Sequence, residues 1–66
     1  MATQSVRWIK KNENEKIRIA MLDYRGSEFV DIRLFFKMRD KFLPTRKGIV
    51  IPMGLLKQVA RILQEA

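Results

Sequence analysis

At 66 residues the chain is one small domain, expected to bury only about 60% of the surface its unfolded form exposes, and it has neither cysteine nor histidine to staple so thin a core with a disulfide or a zinc site. Lys plus Arg number 14 against 7 Asp plus Glu, and the net charge of +7 favours polyanionic partners whose association is steep in salt. No run approaches the ~18 apolar residues of a membrane span and no signal-peptide core opens the chain, so a soluble intracellular protein without cofactor or metal is expected, in the cytoplasm or nucleoid of a prokaryote or the nucleus of a eukaryote.

Residues 1–5 are small and polar, with nothing to bury, and read as a mobile tail. Val6, Arg7, Trp8 and Ile9 can begin a strand, and residues 10–15 form a charged loop. Residues 1–15 are therefore expected to be a flexible segment with at most a short strand, and residues 16–66 the working domain. Trp8 lies beside Arg7, Lys10 and Lys11, and two roles are open to it: stacking on a base, or covering the edge of the core.

Residues 16–24 alternate, Ile17, Ile19 and Met21 opposing Lys16, Arg18, Ala20 and Leu22, which predicts a strand with one basic, partly wet face. Tyr24-Arg25-Gly26-Ser27 reads as a hairpin turn, because Gly26 can supply the positive φ of a short reversal. Tyr24 and Arg25 then stand at its lip, the tyrosine either stacking on a base or packing over the turn. Residues 29–36 form the next strand, with Val30, Ile32 and Leu34 on a buried side and Asp31, Arg33 and Phe35 on a wet one.

Residues 37–41 connect to Phe42-Leu43, after which Pro44 and Gly48 bracket the cations Arg46 and Lys47 in a turn, and Ile49-Val50-Ile51 completes a count of four strands. Pro52 suits the first turn of a helix. From Met53 onward the period is helical: Met53, Leu55, Leu56, Val59, Ala60, Ile62 and Leu63 cover about half the wheel. That stripe is wider than one sheet face needs, so Leu55, Leu56, Val59, Ile62 and Leu63 are expected to meet a second copy of the chain.

The expected fold class is α+β, a curved four-stranded antiparallel sheet followed by one amphipathic helix, in a homodimer. Catalysis is not expected: the chain offers no Ser/His, Cys/His or carboxylate cluster and no phosphate-cradling glycine loop. Asp31 stands two residues from Arg33 on one strand face, as an orienting partner for that guanidinium rather than a general base.

Asp31-Ile32-Arg33 followed by aromatics, then Leu43-Pro44-Thr45-Arg46-Lys47-Gly48-Ile49 and an amphipathic helix, resembles the single-stranded-DNA-binding domain of the positive cofactor four family of transcriptional coactivators. The resemblance implies paired sheets forming basic, aromatic-lined channels for unpaired DNA. It places Arg33, Arg46 and Lys47 on phosphates, Tyr24 and Arg25 at the channel lip, and an aromatic after Arg33 on a base. Strict alternation favours Phe35 for that stack, whereas a bulge would turn Phe36 to the same side. Ser27 departs from the cation that many members carry in the first hairpin, and the lack of a Ser-rich or acidic extension suggests a minimal bacterial, archaeal or phage member.

The nucleic-acid-contacting set is thus Trp8, Arg18, Tyr24, Arg25, Arg33, Phe35, Phe36, Lys37, Arg46 and Lys47. The function expected is sequence-tolerant binding of single-stranded DNA, with RNA or melted duplex also open, in transcription or DNA maintenance and with the transcription machinery as a further partner. The competing reading is an assembly module, in which the helix and the Phe35-Phe36 strand form an oligomer interface and the charge serves solubility.

Overall fold

The computed structural model describes residues 2–66, and in it the strand-period patterns run further than their apolar residues alone suggest. Four strands, β1 (Ala2–Lys10), β2 (Glu15–Tyr24), β3 (Ser27–Met38) and β4 (Lys41–Pro52), precede one helix, α1 (Met53–Glu65). They pair antiparallel in chain order, an open meander with β1 and β4 at its edges. Arg25 and Gly26 both take positive φ, 52° and 81°. A two-residue turn of that handedness matches strand twist, and β2 and β3 pair without a slip from Glu15–Phe36 to Tyr24–Ser27.

Two expectations change here. The polar N-terminal segment is strand rather than tail: Thr3 pairs with Leu22 and Ser5 with Met21, across an irregularity between them, while Met1 lies outside the described residues. Ladder hydrogen bonds need only backbone, and the outer edge of β2 supplies unpaired donors and acceptors whatever the side chains of β1 are. Residues 43–48, expected as a turn between two short strands, lie inside the single strand β4. Arg33 pairs with Gly48 and Phe35 with Pro44, so Thr45, Arg46 and Lys47 bulge opposite Leu34 alone. Pro44 is tolerated because β4 is an edge strand.

Burial does not divide the sheet into one dry and one wet face. Ala20, Leu22, Val30, Phe35 and Ile51 are the buried apolar residues, together with Asp31. Val30 and Ile51 form a cross-strand pair on one face, but Ala20, Leu22, Asp31 and Phe35 belong to the face expected to be wet, and Ile32 and Leu34 are only half-buried. A single helix touching β3 and β4 is too little to cover one face of four long strands. Pro52 stands one position before the helix, as its N-cap, with φ −58° and ψ 139° and no capping side chain. Leu56 and Val59 are half-buried, whereas Leu55, Ile62 and Leu63 are exposed, leaving much of the apolar stripe uncovered within one chain.

Candidate nucleic-acid interface

The register aligns two rows on the face of the sheet that carries Asp31. Arg18 of β2 lies between Trp8 of β1 and Arg33 of β3, which in turn faces Gly48 of β4. In the next row Lys16 lies opposite Phe35, and Phe35 opposite Pro44.

Asp31 holds the first row together. Its buried carboxylate accepts from Arg18 Nη2 at 2.9 Å through Oδ2, and from Arg33 Nη2 at 3.2 Å through Oδ1 and Arg33 Nε at 3.3 Å through Oδ2. A buried carboxylate must be paired, and here two charge-assisted partners do so from neighbouring strands. The cluster keeps one net positive charge, and the two arginine side chains remain 28% and 25% exposed. Arg33 also donates from Nη1 to the Thr45 carbonyl at 2.9 Å. Gly48 makes room for that reach: a Cβ there would come within 2.7 Å of the Ile32 carbonyl oxygen and 3.2 Å of Arg33 Cζ.

Thr45 shapes the bulge. Its Oγ1 donates to the Leu34 carbonyl at 2.7 Å and accepts from the Lys47 amide at 3.1 Å. Bonded on both sides, it presents Arg46 and Lys47 as exposed neighbours on a fixed backbone.

The second row is aromatic and cationic. The Trp8 ring meets Phe35 edge to face, centroids 5.0 Å apart at 83°, and the Arg18 guanidinium lies 4.9 Å from the Phe35 centroid. Phe35 therefore shares the face of Arg33, as alternation requires, but it is only 7% exposed and is not a wet surface residue. The cover comes from Trp8, on the part of β1 that the sequence already offered as a short strand. Phe36, on the other face, is 42% exposed. Pairing between β2 and β3 is unbroken through both residues, so the bulge opposite Leu34 distorts β4 and leaves the alternation of β3 intact.

At the far end of β2, Tyr24 and Arg25 occupy the hairpin lip as expected, exposed, with the guanidinium 5.2 Å from the ring. Eight residues separate Tyr24 from Lys16, roughly 26 Å along a strand. Tyr24 also borders a cavity of about 300 Å³ lined by Leu22, Phe29, Asp31, Arg33 and Val50. Trp8, Arg18, Arg33 and Phe35 thus come together, Tyr24 and Arg25 extend the same face, Lys37 stands exposed beyond Phe35, Arg46 and Lys47 flank it in the bulge, and Phe36 points away. Lys16, Phe42 and Thr45 were not among the expected site residues. Alternation along residues 16–24 already put Lys16 beside Arg18, but Phe42 and Thr45 depend on the β4 register.

Residues 11–62 match the family model described as Transcriptional Coactivator p15 (PC4), and the chain belongs to that family. In structure it is similar to a PC4 homolog from Burkholderia pseudomallei, at 39% identity and TM-score 0.83 over 96% of this chain and 94% of that one. It shares its fold with the bacteriophage T5 homolog of the eukaryotic coactivator, a protein implicated in recombination-dependent DNA replication (22% identity, TM-score 0.63, 97% of this chain and 73% of that one). It shares it also with MoSub1, solved in complex with single-stranded DNA (19% identity, TM-score 0.54, 91% and 75%). Comparison with curated protein sequences returns no significant match.

Proposed function

We propose that this protein binds single-stranded DNA with little sequence preference, as a homodimer, serving transcription as a cofactor or DNA maintenance. The observation that carries the reading is the sheet face on which buried Asp31 orients Arg18 and Arg33 beside Trp8 and Phe35, flanked by the exposed cations Arg46 and Lys47. Guanidiniums held in place meet phosphates at little ordering cost, and exposed rings stack on bases that a duplex would hide. Trp8 and Tyr24 are the exposed aromatics on that face and take the stacking role, while Phe35 is buried and Phe36 is exposed on the other face. Family membership and the MoSub1 complex with single-stranded DNA support the same reading. The uncovered stripe of Leu55, Ile62 and Leu63 supports helix-to-helix pairing of two copies, which sedimentation at micromolar concentration should register as a dimer.

Fluorescence anisotropy tests the binding, using a labelled strand of ~20 nucleotides, its duplex and an RNA counterpart over a salt series. The single strand should bind more tightly than the duplex, with a log–log salt slope of about −0.7 per phosphate contact. Replacing Arg46 and Lys47 by Ala should flatten the slope by about one unit or more. Equal affinity for strand and duplex would defeat the stacking part of the reading, and an unchanged slope would remove Arg46 and Lys47 from the phosphate contacts.

A further inference from the structure

The Lys16 ammonium lies 4.1 Å from the centroid of the Trp8 ring and 4.2 Å from that of Phe42. One cation thus sits between two aromatic rings carried by opposite edge strands of the sheet. The centroids are at most 8.3 Å apart, 4.1 plus 4.2. A flat ring stacked on both walls needs two van der Waals layers, roughly 7–8 Å, a separation within the limit that the two contacts set.

We propose that Trp8 and Phe42 form a slot for one unpaired nucleobase, with the Lys16 ammonium as its exchangeable occupant. The inference rests on the single-strand reading above and assigns it a specific subsite. Both walls are accessible, Trp8 exposed and Phe42 half-buried. Behind Lys16 stands its cross-strand neighbour Phe35, whose ring meets Trp8 at 83° and braces it upright, so one wall is set before any strand arrives. Exchange is favourable by its components. Lys16 gives up cation–π contacts that are modest at a partly solvated site, whereas a base gains a stack on each of two rings. The released ammonium stays near Lys10, its partner across β1, and Lys37, the partner of Phe42, so cations ring the slot where the flanking phosphates would pass. Every base has a π-face, so the slot accepts any of them.

Trp8 is the sole tryptophan, so its emission reports on the slot alone. The full chain is titrated with an unlabelled thymidine oligonucleotide while anisotropy of a labelled copy follows binding. Trp8 emission should be quenched in step with binding, and acrylamide should reach the ring less easily at saturation. Phe42→Leu, which keeps an apolar side chain, should weaken affinity about five- to a hundredfold with an unchanged circular dichroism spectrum, and Phe42→Tyr should restore it. Lys16→Met should leave the quenching in place while flattening the salt slope by about 0.7, the loss of one phosphate contact. Binding by anisotropy with Trp8 emission unchanged overturns the slot and leaves the single-strand reading standing, as does wild-type affinity in Phe42→Leu. Absence of binding in both channels overturns the single-strand reading and the slot with it.

Discussion

Carboxylates sit among cations in two regions of this protein, the centre of the sheet face and the loop between β1 and β2. In the loop, Lys10 reaches Glu13 at 3.2 Å and Lys11 reaches Glu15 at 3.5 Å. At the centre, Arg18 and Arg33 reach Asp31 at 2.9 and 3.2 Å. The separations are alike and the consequences are not. Loop side chains such as Glu13 lie largely in water, where an ion pair contributes about 0–1 kcal/mol. Asp31 is buried, so each partner it lost would leave charge out of water without compensation. Environment, more than distance, decides whether a charge pair holds strands together or merely decorates a turn.

The largest expected effect tests whether the centre is as closed as its burial indicates. Phe35→Ala removes a ring packed against Trp8 and Arg18, and truncating a buried phenylalanine costs about 3–5 kcal/mol, enough to unfold a marginal domain. Phe36→Ala, exposed on the opposite face, should leave both the denaturation midpoint and single-strand affinity nearly in place. If urea melts show Phe36→Ala unfolding the chain while Phe35→Ala is tolerated, the two rings have been assigned to the wrong environments.

Next in size is the carboxylate itself. Asp31→Asn keeps the shape but leaves two guanidiniums facing each other, and since both are about a quarter exposed, water relieves part of the repulsion. A loss of about 2–3 kcal/mol is expected, below the range for a fully buried pair broken on one side. Single-strand affinity should fall as well, because the arginines lose their orientation. Wild-type stability in the Asp31→Asn variant would place this cluster in the same category as the loop pairs and erase the contrast.

How far this contrast was legible in the sequence follows from what each residue depends on. Asp31 and Arg33, two apart on one strand, share a face by period alone, and Gly26 marked the hairpin that aligns β2 with β3. Arg18 as the second partner of Asp31 needed the register, which no single strand contains. Pro44 and Gly48 were punctuation locally and pointed to a turn. In the sheet, Pro44 rests on an edge strand and Gly48 clears space for the backbone of β3 and the side chain of Arg33. Phe35 looked wet because its cover, Trp8, reaches it from β1 across β2, a register that no single strand contains. Local alternation was readable, and contacts made across three or four strands were not.

The smallest expected effect belongs to the loop. Glu15 has its carboxyl held below the ordinary value, chiefly because Asn12 Nδ2 donates to Oε1 at 2.8 Å, with Lys11 adding its charge. A carboxyl depressed in the folded state contributes stability above its unfolded pKa and loses it as pH falls through the lower, folded value. Asn12→Ala should therefore let the Glu15 pKa rise toward the ordinary carboxylate range, measured by following its carboxyl carbon in an NMR titration. The same change should leave urea stability at neutral pH almost unmoved, since Asn12 and Lys11, the partners of Glu15, are exposed. Asn12 also accepts from the Asn14 amide at 2.9 Å, so Asn12→Ser, a neutral change whose shorter hydroxyl can still accept from that amide but loses the amide donor, separates the two contributions. If Asn12→Ser raises the Glu15 pKa as Asn12→Ala does, the lost donor is the cause. If only Asn12→Ala raises it, the turn conformation sets the carboxyl, and the loop is held by its backbone rather than by its charges.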